Sequence, residues 1–267
     1  MNVIKQLKRL NHKRFLLYIF AIMSMTMAFA CTASQSYVSE EEKLRKAEAL
    51  RNLGEAHLLS GNYTAALAKL LDAEKLDPHN PYIYDDLGLV YIAKGRPDLA
   101  IEHFKKALAI KPEFTPAMNN LGTAYLARKE WDAAISIFKN INSDLLYATP
   151  YMPLSNIGWA YYNKKRYNLA KKYYLDALKM EPKFVTALHG LGLTYTALGE
   201  YSQAIKTLEK GVKLAPDHAG IYLALGSAYR LSHDYKKALK NYVKVIELAD
   251  ENSQVAIEAV KKVNELK

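Results

Sequence analysis

The chain has a single cysteine, Cys31. A disulfide within the chain is therefore excluded, as is any metal site built on a cysteine pair. No G-x-x-x-x-G-K-[ST] phosphate loop, no H-E-x-x-H zinc helix and no G-x-S-x-G nucleophile turn occurs in it. The seven histidines do not gather at ligand spacing. His189 alone is a candidate for a groove-facing position. Acid pairs such as Asp85-Asp86 are adjacent, so they point to different sides of a helix instead of into one site. These absences argue against catalysis, and neither a metal, a cofactor nor a small-molecule substrate is expected.

Apolar runs are also scarce. The one that stands out, Phe15–Ala30, follows a stretch holding Lys5, Lys8, Arg9, Lys13 and Arg14 with no acid. A basic start, a short apolar run and small residues before a cut are the pattern of a secretory signal peptide, here residues 1–30. These sixteen residues, apolar but for Ser24 and Thr26, fall short of the roughly 20 a spanning helix needs, although an uncleaved anchor is an alternative. Ala28-Phe29-Ala30 fits ordinary signal peptidase; with Cys31 it also resembles a bacterial lipobox, departing from the usual pattern at Ala28 and Phe29. A thiol left as the first mature residue would have no disulfide partner in an oxidising compartment. Lipidation of Cys31 is the favoured reading, with residues 31–38 as the lipidated cysteine and its tether.

Charge of either sign is mild once that leader is set aside. The formal +10 includes the five leader cations, leaving 32 basic against 27 acidic residues, or about +5. The densest basic cluster, Lys164-Lys165-Arg166 with Lys171 and Lys172, lies among tyrosines. Such interleaving can signal nucleic-acid binding. An exported protein does not usually meet nucleic acid, so a solvated helix face is expected, with attraction to anionic lipid or cell-wall polymer as the alternative.

Glycines number only 12, and six of them keep a fixed beat: Gly54, Gly88, Gly122, Gly158, Gly192 and Gly226, spaced 34, 34, 36, 34 and 34 residues apart. Other positions fall into line with them. Three residues on come His57, Tyr91, Tyr125, Tyr161, Tyr195 and Tyr229. Twelve on, alanine recurs without exception, from Ala66 to Ala238. Sixteen on come Leu70, Phe104, Phe138, Tyr174, Leu208 and Tyr242. Pro78, Pro112, Pro182 and Pro216 stand 24 residues after their glycines, where they stop a helix. Small residues let helix backbones approach and large ones fill the gaps between them, so the alanine and tyrosine columns are expected in the core. Ser60-Gly61-Asn62 and Lys94-Gly95-Arg96-Pro97 read as turns within repeats.

These columns resemble the tetratricopeptide repeat (TPR). The resemblance implies an all-α, right-handed superhelical solenoid of six helix-turn-helix repeats over 39–252: 47–80, 81–114, 115–150, 151–184, 185–218 and 219–252. Ser39 with Glu42 reads as a capping box opening the first helix. Val255, Ile257, Val260, Val263 and Leu266 read as the buried stripe of a capping helix over 251–267. The repeats leave no span for a second domain.

In TPR proteins the first helices line a concave groove. The corresponding positions here offer a polar column, Asn52, Asp86, Asn120 and Asn156, suited to the backbone of an extended peptide. They also offer apolar candidates: Tyr82, Leu89, Ile92, Leu126, Met152, Trp159, Tyr162 and Leu193. Trp159 follows the glycine, where a small residue would be ordinary; it is either a binding anchor or packing for the irregular junction between repeats three and four. The carboxylate clamp of chaperone-binding TPR domains is not matched, since Glu55, Asp86, Pro116 and Asn120 occupy its positions.

The lipobox, six repeats and the junction from Asn142 through Leu145, Tyr147 and Pro150 to Asn156-Ile157-Gly158 together resemble the PilW/PilF family of type IV pilus biogenesis and stability lipoproteins. That resemblance implies a non-catalytic adaptor, anchored through Cys31 in the inner leaflet of the bacterial outer membrane, which helps a pilus secretin subunit localise and assemble. The alternatives are a TPR scaffold regulating cell-wall hydrolases and a structural subunit of another envelope complex.

Overall fold

The structure, a computed structural model, describes residues 39–142 and 149–266. The signal, Cys31, the tether and the middle of the 142–150 junction lie outside the described residues. Among those described are thirteen helices and no strand. They are α1 (39–59), α2 (Tyr63–Leu76), α3 (Pro81–Ala93), α4 (Pro97–Ile110), α5 (Thr115–Ala127), α6 (Trp131–Asn142), α7 (Tyr151–Asn163), α8 (Tyr167–Met180), α9 (Val185–Ala197), α10 (Tyr201–Leu214), α11 (Ala219–Leu231), α12 (Tyr235–Leu248) and α13 (Gln254–Glu265). No helix among the described residues is long and apolar enough to cross a membrane. The chain divides into two compact units, Met1–Leu87 and Gly88–Lys267, with the division inside α3.

The turn between paired helices has one conformation throughout. Gly61, Gly95, Lys129, Lys165, Gly199 and His233, each seven residues past a repeat glycine, all have positive φ, between 57° and 77°. Three of these six residues are not glycine, so this turn is only half visible in composition. The next helix then starts with local help: the Asn62 side chain accepts from the Ala65 N–H at 3.3 Å, that of Asp234 accepts from Lys237 N–H at 3.1 Å, and Pro97 takes the first turn of α4. The second helices of repeats one, two, four and five end at Leu76, Ile110, Met180 and Leu214, two residues before Pro78, Pro112, Pro182 and Pro216. There the missing N–H and the restriction on the preceding residue forbid another turn.

Packing follows the columns. Every alanine of the column twelve past the glycine is fully buried, and so, within 1%, is every large residue sixteen past it. The reason for the glycines is the same in all six repeats. A Cβ on Gly54 would come within 2.7 Å of Leu70, one on Gly122 within 2.6 Å of Phe138, one on Gly158 within 3.0 Å of Tyr174, and one on Gly226 within 2.6 Å of Tyr242. Phe104 and Leu208 crowd Gly88 and Gly192 in the same way. Each of these large side chains contributes about 1.5–3 kcal/mol by burial, which requires that the facing backbone carry no side chain.

The tyrosine column differs from expectation. Tyr229 is buried, but His57, Tyr91, Tyr125, Tyr161 and Tyr195 are half-buried. The four tyrosines among these pack against the rims of the cores, where a phenol can keep its hydroxyl near water. Within Gly88–Lys267, from α4 onward each helix packs on the next, and first helices also touch one another: α7 meets α5 and α9, and α11 meets α9 and α13.

The two ends also differ in detail. Ser39 is the first described residue and is itself helical, part of α1. Helix α13 is capped by Ser253, whose side chain accepts from the Ala256 N–H at 3.3 Å. It buries Ala256, Ala259 and Val263, with Leu266 partly buried, whereas Ile257 and Val260 of the expected stripe are exposed. The alanines win the inward face because α12 lies close beneath α13.

Candidate functional site

In the unit ending at Leu87, the polar column is held by a cation. Arg51 on α1 donates from Nη1 to Asp86 Oδ2 at 3.1 Å and from Nη2 to Asn52 Oδ1 at 3.0 Å. Glu55 lies 3.8 Å from the same guanidinium, and Tyr82 presents its ring to it at 5.8 Å. Asp86 is only 8% exposed. Burial pushes its carboxyl up to about 6, with Arg51 opposing and Asp85 and Glu55 reinforcing the rise. Asp86, expected in the polar groove column, thus has an oxygen engaged within the fold, because Arg51 sits one turn before Glu55 and reaches across to α3. Asn52 is exposed but shares that guanidinium, and Tyr82 is exposed. Arg51 was not singled out from sequence; nothing in the spacing reveals a contact made across two helices.

In the unit beginning at Gly88, helix α7 carries the open stripe. Met152, Asn156 and Trp159 are spaced four and three apart and Tyr162 three beyond, so all four share one face. Met152 and Trp159 are exposed, Trp159 to 40%, while Asn156 and Tyr162 are half-buried. The Trp159 indole stacks on the Tyr162 ring, with centroids 5.6 Å apart and planes 10° apart, and Tyr162 in turn meets Tyr167 at 5.5 Å. Burial raises the Tyr162 hydroxyl above its ordinary pKa. The stack rests on α7, whose opposite side is locked by buried Leu154, Ile157 and Ala160. Neighbouring α5 adds half-buried Asn120.

Other apolar candidates serve the cores. Leu89 and Ile92 pack against the cluster around Phe104, Leu126 against that around Phe138, and Leu193 against that around Leu208. His189 and His218 meet edge to face at 5.5 Å, and burial together with His218 pulls His189 down to about 4. Two of the five cations of the basic cluster are ion-paired: Lys164 with Asp132, and Lys171 with Glu200 at 2.8 Å, the latter also lying over Tyr195. That is the behaviour of a solvated, ion-paired face.

Paired helices in repeating register, a glycine facing a large buried side chain in each and a rigid helix face presenting a stacked indole define a helix-repeat scaffold, a class that works by offering surface. Family profiles described as tetratricopeptide repeat match residues 91–144, 154–184 and 184–251, and one described as TPR repeat matches 54–95. The chain belongs to the tetratricopeptide-repeat proteins. No curated protein matches it. Among solved structures it is similar to PilF of Pseudomonas aeruginosa, at 21% identity and TM-score 0.69, covering 83% of this chain and 99% of that one. It is similar to PilW, described as a widely conserved type IV pilus biogenesis factor, at 22% identity and TM-score 0.72, covering 80% and 98%. YrrB, described as a TPR protein with an unusual peptide-binding site, is 17% identical with TM-score 0.51 over 72% of this chain and 97% of that one.

Proposed function

We propose that this protein is a non-catalytic adaptor whose first-helix face on α7 grips a protein partner. The observation that carries the reading is the Trp159–Tyr162 stack, an exposed indole resting on a half-buried phenol ring, on a helix that is otherwise locked into the core. An amphipathic aromatic held rigid loses little entropy on binding, which is why such groups dominate interface energetics. Asn156, on the same face, has a side-chain amide able to pair with a peptide backbone.

The proposed setting is the inner leaflet of the bacterial outer membrane, with Cys31 lipidated and the repeats facing the periplasm. The partner is a secretin subunit of the type IV pilus machinery. The leader pattern and the fold shared with PilF and PilW support this reading. A tether at the membrane would raise the local concentration of a captured subunit.

The test has two parts. Intact mass of protein purified from bacterial membranes should begin at Cys31 and carry diacylglyceride and acyl chains, and Cys31→Ala should lose them. Purified secretin should bind the wild type and bind Trp159→Ala at least tenfold more weakly. Undiminished binding by Trp159→Ala would remove the α7 face from the mechanism. Capture of cell-wall hydrolases in place of secretin would make the protein a hydrolase scaffold.

A further inference from the structure

A second surface lies on the other side of the last repeats. A cleft of about 1070 Å³ opens between α10 and α12, lined from α11 by Tyr222, Leu225 and Tyr229. These three are spaced three and four apart, on the side of α11 opposite Leu223, Ser227 and Arg230, so the cleft does not share the first-helix groove. Leu239 and Val243 of α12 line it as well.

Its charge is one-sided. Five lysines line the cleft against two acids, Glu209 and Glu247. Both acids are engaged: Tyr229 donates its hydroxyl to Glu209 at 2.6 Å, and Glu247 pairs with Lys244 at 3.0 Å. Lys237 pairs with Asp234 at 3.0 Å and lies over the Tyr229 ring at 5.1 Å. Lys213, Lys236 and Lys240 make no ion pair among the described residues. Three ammonium groups without a close ion-pair partner, Lys236 feeling Asp234 only at longer range, stand around an apolar recess, and bound carboxylates would balance their charge.

We infer that this cleft docks an acidic amphipathic segment of a partner protein. Carboxylates meet Lys213, Lys236 and Lys240 while an apolar side chain lies against Leu239 and Val243. The volume stands at the upper limit of small-ligand pockets, about 300–1,000 Å³, and suits a stretch of peptide. A flat anionic lipid surface would meet the lysines but not the recess, where Leu225 is only 4% exposed. This inference does not depend on the proposed use of the α7 face.

The probe is a fluorescein-labelled synthetic peptide with leucines every three or four residues among glutamates, titrated into the full chain at low and physiological salt. Its twin has glutamine for every glutamate, and phosphatidylglycerol vesicles form a parallel arm. The glutamate peptide should bind, the glutamine twin should bind at least tenfold more weakly, and the triple variant Lys213→Gln/Lys236→Gln/Lys240→Gln should lose about tenfold while Trp159→Ala loses none. Val243→Asp, at an exposed position, should weaken binding by a similar factor without lowering the melting temperature. No binding of the glutamate peptide, or binding indifferent to the triple variant, would overturn the inference. Vesicle binding that needs the three lysines, with no peptide binding, would overturn it in favour of lipid.

Discussion

The ring of Tyr174 lies between two glycines of successive repeats: Gly158 in its own repeat and Gly190 in the next. A Cβ on Gly158 would stand 3.0 Å from the ring, and one on Gly190 would run into Cζ and the hydroxyl. Tyr174 is 1% exposed, so the ring has nowhere to go. Gly190→Ala should therefore destabilise by about 1–3 kcal/mol through overpacking, against the 0.5–1 kcal/mol that alanine returns in helix propensity. Combining it with Tyr174→Leu, the residue type found at Leu70 and Leu208 in the same column, should recover part of the loss. Thermal melts of the two singles and the double check the coupling, and additive losses would contradict it.

Gly190 also marks where sequence reading stops. It stands in the same repeat position as Asn52, Asp86, Asn120 and Asn156, and in a list of groove residues it reads only as a missing polar group. Its cause is a ring supplied from the previous repeat, which no single column displays. The repeat beat and the alanine and large-residue columns were legible, because the same packing is solved six times and leaves a period. The Arg51–Asp86 pair was not, since it occurs once and depends on how a long side chain reaches across to another helix. The outward turn of Ile257 and Val260 was hidden because smaller Ala256 and Ala259 took the inward face.

The left-handed turn position yields a prediction at Lys129, exposed and at φ 62°. A left-handed conformation costs a residue with a Cβ about 1–2 kcal/mol, and glycine gives back about 0.5–1 kcal/mol in lost chain entropy. Lys129→Gly should then stabilise by about 0.5–1 kcal/mol, raising the melting temperature by about 1–4 °C. A melting temperature below that of the parent would show that the lysine side chain contributes more than its backbone costs.

Asp86 and His189 should give opposite pH slopes. The folded-state Asp86 carboxyl titrates near 6 against a usual 3.8, so the folded form binds its proton more tightly than the unfolded one. The stability it contributes is full below about pH 4 and is lost as pH rises through about 6. His189 is pulled down to about 4 from 6.5, so its contribution is full above about pH 6.5 and is lost as pH falls towards 4. Relative to wild type, Asp86→Asn should lose less stability between about pH 4.5 and 7, and His189→Gln should lose less on acidification from about pH 7 to 4.5. Melting temperatures across that range test each slope, and a variant curve parallel to wild type would refute the corresponding assignment.

Trp159 allows packing and binding to be separated. It is 40% exposed and its ring contact is the stack on Tyr162, so truncation forfeits an aromatic pair worth about 0.5–1.5 kcal/mol and a partial burial term. Trp159→Ala should therefore lower stability by less than about 2 kcal/mol, well short of the 3–5 kcal/mol expected when a fully buried aromatic such as Phe138 is cut to alanine. The two variants melted side by side decide the matter. If Trp159→Ala falls as far as Phe138→Ala, the indole is a core residue and its exposure is incidental. If it falls by a third of that or less, the molecule keeps a large aromatic at its surface for little structural return, as expected of an interface anchor.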